Sequence, residues 1–161
     1  MTNETEKFDF LILGGGSAGY AAARTAHNLG KRVAVVDGAA ELSGLCILRG
    51  CMPSKTLIYS AEVLHLAQQG DVFGFKGGNP VADMQAMQQR KREVIREFSE
   101  YRKEQLEDGR FSLFKDYGHF LDLNSVELSD GKILRAEKIL ISTGSIIKTP
   151  DLPGLRGCSF K

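Results

Sequence analysis

The N-terminal part of the chain alternates between apolar runs and an alanine-rich stretch. Residues 8–13 (FDFLIL) are almost wholly apolar and run into three consecutive glycines, which predicts a parallel strand buried on both faces. Residues 20–29 are rich in alanine and are followed by Gly30, which predicts a helix closed by a glycine. Residues 32–36 predict a second strand. The order strand, helix, strand indicates an α/β fold with a central parallel sheet and flanking helices.

Two longer helices are predicted in the middle of the chain. Pro53 suits the first turn of a helix, and the sequence after it keeps a helix-compatible composition as far as Gly70. Residues 81–108 contain neither glycine nor proline and predict one long helix. Its apolar residues form a narrow stripe, which we interpret as core packing, with contact to another subunit as the alternative. The stripe comprises Met84, Met87, Val94, Ile95, Phe98, Tyr101 and Leu106.

From Phe111 onward the pattern changes to short runs that are typical of strands. The Asp-Gly pair at 130–131 is a turn signal between two of them, so we expect a small antiparallel β-meander. The last run, 139–142, leads into the sequence Thr-Gly-Ser at 143–145. We expect this run to return to the first sheet and to bring a second glycine turn toward the same ligand.

A glycine motif lies between the first strand and the first helix. Gly14, Gly16 and Gly19 satisfy the pattern GxGxxG. Glycines at these positions give a tight turn and close backbone approach, while amides at the helix start hold a pyrophosphate. Asp37 follows the second strand, about twenty residues further on, where a dinucleotide fold places an acid on the ribose hydroxyls. The alternatives are a strand-to-helix turn without nucleotide and, for Asp37, a turn residue at a strand end.

Cys46 and Cys51 lie close together in the segment GLCILRGCMPSK, in a chain with three cysteines. Five helical steps advance about 7.5 Å, whereas bridged Cα atoms usually lie about 4.4 to 6.8 Å apart, so a bridged pair must straddle a loop and a helix start. Cys51 then lies near the positive end of a helix dipole, with Lys55 about one turn on, and both favour thiolate over thiol. This combination indicates a redox-active dithiol or disulfide.

Composition excludes little. The chain has 161 residues, 42% hydrophobic content, and 21 basic against 20 acidic side chains, so no bulk charge recruits nucleic acid or an anionic membrane. The basic cluster at 90–92 is interpreted as a solvated face because no aromatic residues interleave it. The start of the chain lacks the pattern of a secretory signal, and no apolar stretch is long enough to span a bilayer. We therefore expect a cytoplasmic protein.

These features together resemble the pyridine nucleotide-disulfide oxidoreductases of class I, which include dihydrolipoamide dehydrogenase, glutathione reductase and mercuric reductase. The resemblance covers nearly the whole chain. It rests on LILGGGSAGYAAA, the acid Asp37, the cysteine block GLCILRGCMPSK, and STGS followed by TPDLPG, in the family's order. The cysteine block is the most specific of these motifs.

The resemblance implies a Rossmann-like FAD-binding fold with FAD in an extended form. The first glycine turn would lie at the pyrophosphate, Asp37 at the ribose, and the turn with Thr143 and Gly144 would make a second contact. The predicted FAD-binding residues are Gly14, Gly16, Ser17, Ala18, Gly19, Asp37, Gly44, Lys55, Thr143 and Gly144. Cys51 would be the charge-transfer thiol against the flavin and Cys46 the interchange thiol that meets substrate. No metal ligand is predicted.

Three positions depart from the family's pattern. Asp37 stands where the family usually has glutamate, which shortens the reach to the ribose and keeps the charge. Leu45 replaces the threonine of the usual GGTC, and Leu48 replaces a common asparagine between the cysteines. Both leucines remove polar contacts near the flavin and phosphates. The spacing of the two thiols is unchanged.

The resemblance also implies that residues 1–161 are the FAD-binding domain of a longer multidomain enzyme, without its nicotinamide and interface domains. Family members are substantially longer, and this chain has no second GxGxxG after a strand. None of His27, His65 and His119 is followed five residues later by the glutamate of the family's catalytic base, so no general base is assigned. The full-length enzyme would use NAD(P)H and form a homodimer, and this segment alone would be inactive.

The function predicted for the full-length protein is electron transfer between NAD(P)H, FAD and a redox disulfide, most like dihydrolipoamide dehydrogenase. The substrate would be a small disulfide, dithiol or metal ion, and the alternative enzyme is a mercuric reductase. Other hypotheses remain open: a non-catalytic flavin- or ADP-binding module, a flavin monooxygenase-like protein, and a metal site that combines Cys46, Cys51 and Cys158 with a histidine.

Overall fold

A computed structural model of the chain describes residues 5–76, 78–146, 148 and 150–155. Its core is one six-stranded sheet with the strand order β3-β2-β1-β6-β5-β4. The strands are β1 (Thr5–Leu13), β2 (Val33–Val36), β3 (Ser112–Phe114), β4 (Gly118–Asp122), β5 (Ser125–Leu128) and β6 (Ile133–Ile141). The helices are α1 (Ser17–Asn28), α2 (Gly44–Leu48), α3 (Cys51–Gln68) and α4 (Met84–Glu107), with a short 3₁₀ helix at Gly70–Phe73.

The sheet separates two apolar layers because side chains alternate along each strand. Leu11 and Leu13 of β1 belong to a cluster with residues of the antiparallel strands. Ile12 points into the other cluster, where α1 and Leu106 of α4 cover the sheet. All four residues of β2 are buried, as expected for a parallel strand covered on both faces. The predicted α/β fold class is confirmed.

The strands after Phe111 are arranged differently from the prediction. β3 pairs in parallel with β2, so it belongs to the parallel part of the sheet and not to the meander. The meander consists of β4, β5 and β6. The last predicted run, 139–142, is not a separate strand: most of it belongs to the nine-residue strand β6, because β6 pairs in parallel with β1 along nearly its whole length. Such long-range pairing stabilises a strand that local pattern would divide.

The two long helices are close to their predicted positions. α3 begins at Cys51, and α4 begins at Met84 rather than at residue 81, because the Asp83 side chain accepts a hydrogen bond from the Ala86 amide at 3.0 Å and caps the helix. The stripe on α4 is only partly core. Leu106 is buried, whereas Phe98 is 45% exposed; Met84 and Tyr101 are likewise exposed, so core packing is wrong for these three residues.

The residues of α3 are all described, and none of them is buried. α3 packs against α4 and α2. No helix in the described ranges is both long enough and apolar enough to cross a membrane.

Candidate functional site

A cavity of about 500 Å³ opens where the carboxyl ends of β1, β2 and β6 meet. After β1 the chain passes through α1 to β2, on one side of β1. It reaches β6, on the other side of β1, only after β3, β4 and β5. The connections therefore run in opposite directions from β1. Open α/β sheets bind ligands at such a point. Of the predicted site residues, Gly14, Gly16, Ser17, Ala18, Asp37, Gly44, Cys46, Thr143 and Gly144 line the cavity.

The glycine loop forms the inner wall of the cavity. The Gly14 amide donates to the Val36 carbonyl at 2.8 Å, and Gly14 has a φ of 98°. A Cβ atom on Gly14 would lie 2.5 Å from the Ser142 carbonyl oxygen, and one on Gly19 would collide with the Gly14 carbonyl. Gly19 is buried and does not line the cavity. Its lack of a side chain lets α1 start close against β1 and β6.

The N-terminal end of α1 faces the same loop. Gly16 is the N-cap residue, no side chain caps the helix, and the first turn carries no acidic residue. Backbone amides at such a helix start suit an anion, since the helix dipole places partial positive charge there. The loop therefore fits the pyrophosphate of a dinucleotide.

Ser142 holds the end of β6 to the glycine loop, a role that no sequence motif predicted. Its hydroxyl lies 3.1 Å from the Leu13 carbonyl and 2.8 Å from the Gly14 carbonyl, and its amide donates to the Leu13 carbonyl at 2.8 Å. The feature of the sequence that could have indicated this role is a serine at the end of a strand, directly before a glycine turn. Ser142 thereby fixes the position of the second turn, which contains Thr143 and Gly144.

Asp37 ties the end of β2 to both neighbouring loops. Its carboxylate accepts the Gly15 amide at 2.7 Å and the Ala39 amide at 3.0 Å. The second of these bonds is a turn contact of the kind that the alternative interpretation required. The residue is half-buried and lines the cavity. Its position is compatible with a ribose contact, and that role stays a prediction.

Cys46 and Cys51 form a disulfide bond, with their Cα atoms 4.7 Å apart. Cys51 is the first residue of α3, with Gly50 as the N-cap residue, as the geometry predicted. Cys46 lies in the short helix α2 rather than in a loop. The bond is possible because Arg49 and Gly50 interrupt the two helices.

The two sulfurs differ in their surroundings. Cys46 is half-buried and lines the cavity, whereas Cys51 and Lys55 are exposed and do not line it. In the predicted roles it is Cys51 and Lys55 that lie beside the flavin. Of the two cysteines, only Cys46 lies at the cavity with the glycine loop. The division of roles between the two thiols stays a prediction.

Ser43 connects the cysteine segment to α4, and sequence reasoning missed this role. The side chain is fully buried, its hydroxyl donates to the Ser99 carbonyl at 3.1 Å, and it shares a hydrogen bond with the Ser99 hydroxyl at 3.1 Å. Ser43 has a φ of 123° and is the one described non-glycine residue with a positive φ. Such a conformation is strained for a residue with a Cβ atom and persists only when neighbours hold it.

The turn between β3 and β4 supplies another wall that no sequence motif indicated. Asp116 and Tyr117 line the cavity, and the Tyr117 ring packs so closely on Gly38 that a Cβ there would lie 2.7 Å from it. Asp116 accepts the amides of Tyr117 and Ser129 at 2.7 and 3.0 Å. Hydrogen bonding from Ser129, followed by the Tyr117 amide, lowers the pKa of Asp116. This turn reaches the cavity because β3 pairs with β2.

The hypothesis of a metal site at the cysteines is not supported by the described part of the chain. There, no group of three or more histidine, cysteine, aspartate or glutamate residues is placed to hold a metal ion. Cys46 and Cys51 are bonded to each other, and a ligating sulfur must be a thiolate. Cys158, the third sulfur of that hypothesis, lies outside the described residues.

The fold and the site define a Rossmann-like dinucleotide-binding domain with a redox disulfide at its ligand cavity. The family model described as "Pyridine nucleotide-disulphide oxidoreductase" matches residues 8–161. The chain belongs to this family, as the motifs predicted, and is its FAD-binding segment. Members of the family bind FAD and NAD(P)H.

Similar proteins include several enzymes of the family. The chain is 34% identical over 161 residues to dihydrolipoyl dehydrogenase of Bacillus subtilis strain 168, covering 92% of this chain and 33% of that protein. It is 31% identical over 149 residues to mercuric reductase of Bacillus cereus, covering 92% and 23%. The solved structure of the HOCl-induced flavoprotein disulfide reductase RclA from Escherichia coli, a Cu(II) complex, superposes with a TM-score of 0.70 at 28% identity, covering 92% and 31%. The chain thus spans a third or less of these relatives.

Proposed function

We propose that the chain is the FAD-binding part of an enzyme that moves electrons between NAD(P)H, FAD and the Cys46–Cys51 disulfide. The observation that carries this proposal is that one sulfur of the disulfide and the glycine loop line the same cavity. Dihydrolipoamide dehydrogenase is the proposed type of enzyme, supported by the 34% identity to the Bacillus subtilis protein. The full-length protein is proposed to be a cytoplasmic homodimer.

The cavity residues fit FAD by their chemistry. The amides of Ser17 and Ala18 and the backbone of Gly14 and Gly16 suit the pyrophosphate, and Asp37 offers a carboxylate for the ribose. Thr143 and Gly144 form the second turn, and Gly44 adjoins Gly16, since a Cβ on Gly44 would lie 2.5 Å from the Gly16 Cα. When bound, FAD supplies two-electron transfer between a nicotinamide and a disulfide.

The two cysteines carry the step that belongs to this chain. Opening the disulfide takes up two electrons and two protons and leaves two thiols. Cys51, at the start of α3, is the thiol whose ionisation the helix dipole favours. In the reverse direction the Cys46 thiolate attacks a substrate disulfide, one substrate sulfur leaves as a thiol, and a mixed disulfide forms at Cys46. Cys51 then attacks the Cys46 sulfur, which releases the second substrate thiol and closes the Cys46–Cys51 disulfide.

Anaerobic reduction of the full-length protein by two electrons tests this assignment. We expect a long-wavelength charge-transfer absorbance that Cys51→Ser abolishes and Cys46→Ser retains. Cys158→Ser is the matched control and should leave the band unchanged. A band that survives in Cys51→Ser contradicts the assigned role of Cys51, and a protein that binds no FAD contradicts the whole proposal.

A mercuric reductase is the second candidate, since the Bacillus cereus enzyme is 31% identical. The same full-length protein, assayed with NADH or NADPH against lipoamide and against Hg²⁺, separates the two. A non-catalytic flavin module would instead keep its yellow colour, show neither activity, and be unaffected by Cys46→Ala.

A further inference from the structure

The charged side chains around the cavity are unevenly divided. Asp37, Glu41 and Asp116 supply three carboxylates, and Arg49 is the single cation among the described residues that line it. A pyrophosphate would add further negative charge to this site. The backbone amides of the glycine loop offer partial charges only, so Arg49 is the lining group that can supply a full positive charge.

Two of the three carboxylates already have backbone partners that hold them. Asp37 accepts the amides of Gly15 and Ala39, and Asp116 accepts the amides of Tyr117 and Ser129. Glu41 differs from them, because its partner is the Arg49 guanidinium at 3.2 Å. Arg49 is thus committed to Glu41 alone among these carboxylates.

The two residues of this ion pair line the same cavity as the glycine loop. Arg49 is the C-cap residue of α2, and its amide donates to the Leu45 carbonyl at 2.9 Å. Glu41 precedes α2, so the Arg49 side chain folds back toward the N-terminal end of that helix. There Gly44 lies against Gly16, the N-cap residue of α1.

The ion pair is weak enough to be exchanged. The side chains of Arg49 and Glu41 are 60% and 62% exposed, and exposed ion pairs of this kind contribute little to stability. A guanidinium forms two parallel hydrogen bonds to a phosphate, and such bonds are stronger than those to neutral groups. Glu41 can be hydrated by solvent when Arg49 leaves it.

We propose that the Arg49 guanidinium leaves Glu41 when FAD binds and forms an ion pair with the FAD pyrophosphate instead. Glu41 and the pyrophosphate then compete for the same positive charge. The inference rests on the proposed function, because it requires FAD in this cavity. It assigns a phosphate-binding role to a side chain between the two redox cysteines, and it makes Glu41 a competitor for that side chain.

The test is the affinity of the flavin-free protein for FAD, ADP and adenosine, measured by calorimetric titration at low and high salt. Arg49→Gln should weaken FAD and ADP binding about ten-fold at low salt, because a charged hydrogen-bonding partner is lost, and should reduce the salt dependence of both. Adenosine, which has no phosphate, should bind equally to both proteins. Arg90→Gln, an exposed arginine on α4, is the matched control and should change nothing.

Glu41→Gln tests the exchange itself. This variant frees Arg49, so we expect FAD to bind several-fold more tightly, and we expect no such gain when Arg49→Gln is also present. Wild-type protein that binds no FAD overturns the proposed function together with this inference. Wild-type protein that binds FAD, with Arg49→Gln equally tight and equally salt-dependent, overturns the inference alone and leaves the proposed function standing.

Discussion

The two walls of the cavity are built from different contacts. The glycine-loop wall, residues 14–19 with the ends of β1, β2 and β6, is fixed by backbone hydrogen bonds and by side chains buried in the sheet. The redox wall, residues 43–51, lies outside the sheet and is connected to α4 through Ser43 and Ser99. It continues into α3, which buries none of its residues. The wall that fits the phosphates is anchored in the sheet, whereas the wall that carries the disulfide is anchored outside it, by the buried Ser43 and Ile47 and by the disulfide itself.

This difference suits the chemistry proposed for each wall. A phosphate site must keep its amides in place without a ligand, so that little ordering is required on binding. A disulfide that opens and closes needs its sulfurs to change distance, and a segment outside the sheet that continues into a helix without buried residues permits such movement at lower cost than a strand of the core. Substitutions in the two walls should therefore have separable effects on stability and on function.

The largest expected effect is in the sheet behind the glycine loop. Leu11→Ala removes a fully buried side chain of β1 and should lower the free energy of unfolding by about 3 kcal/mol. Leu66→Ala on α3, where the side chain is 51% exposed, should lower it by less than about 0.5 kcal/mol. Urea denaturation followed by circular dichroism measures both. Equal losses would contradict the contrast between sheet and helix.

The next effect is at the first turn of α1. Gly19→Ala places a Cβ atom against the Gly14 carbonyl, and 2.9 Å from the Ser142 hydroxyl, so it should cost about 2 kcal/mol of stability and weaken FAD binding. Gly78→Ala is the control, because a Cβ there meets nothing within 4 Å. Thermal unfolding and FAD titration are the measurements. Normal FAD affinity in Gly19→Ala would show that the loop can move away from β6.

A smaller effect is expected in the redox wall. Ser99→Ala removes one hydrogen-bonding partner of the buried Ser43 hydroxyl and should lower the free energy of unfolding by about 1 kcal/mol. Because only the redox wall is loosened, the affinity for ADP should be unchanged while the disulfide is reduced faster by dithiothreitol. Thr25→Ala, which removes an exposed hydroxyl of α1 away from the cavity, is the control. A loss of ADP affinity in Ser99→Ala would mean that the two walls are coupled.

The smallest effect concerns acid stability of the turn between β3 and β4. The hydrogen bond from Ser129, and then that from the Tyr117 amide, lowers the pKa of Asp116 below its ordinary value of 3.8. A carboxyl group whose pKa is lower in the folded state stabilises the protein above pH 4 or so, and this contribution is lost as the pH falls through the folded-state pKa. Asp116→Asn should therefore be less stable than wild type near neutral pH, and the difference should shrink toward pH 3. Urea titrations across this range would show a constant difference if Asp116 made no such contribution.

The sequence by itself determined the local chemistry of the site. The glycine spacing, Asp37 after the second strand, and Cys51 at the start of a helix were all readable, because each depends on residues that are near one another in the chain. The strands β1 and β2, and the helices α1, α3 and α4, were readable for the same reason. The family followed from the order of these motifs.

Only the tertiary structure decided which distant segments meet. β3 joins the parallel strands, Ser142 bonds to Leu13, and Ser43 bonds to Ser99, although no local pattern distinguishes these residues from others of their type. The partners lie far apart in sequence, and their pairing is set by strand register and by the packing of α4 on the sheet. Burial and register depend on the whole fold, whereas a motif depends only on its neighbours along the chain.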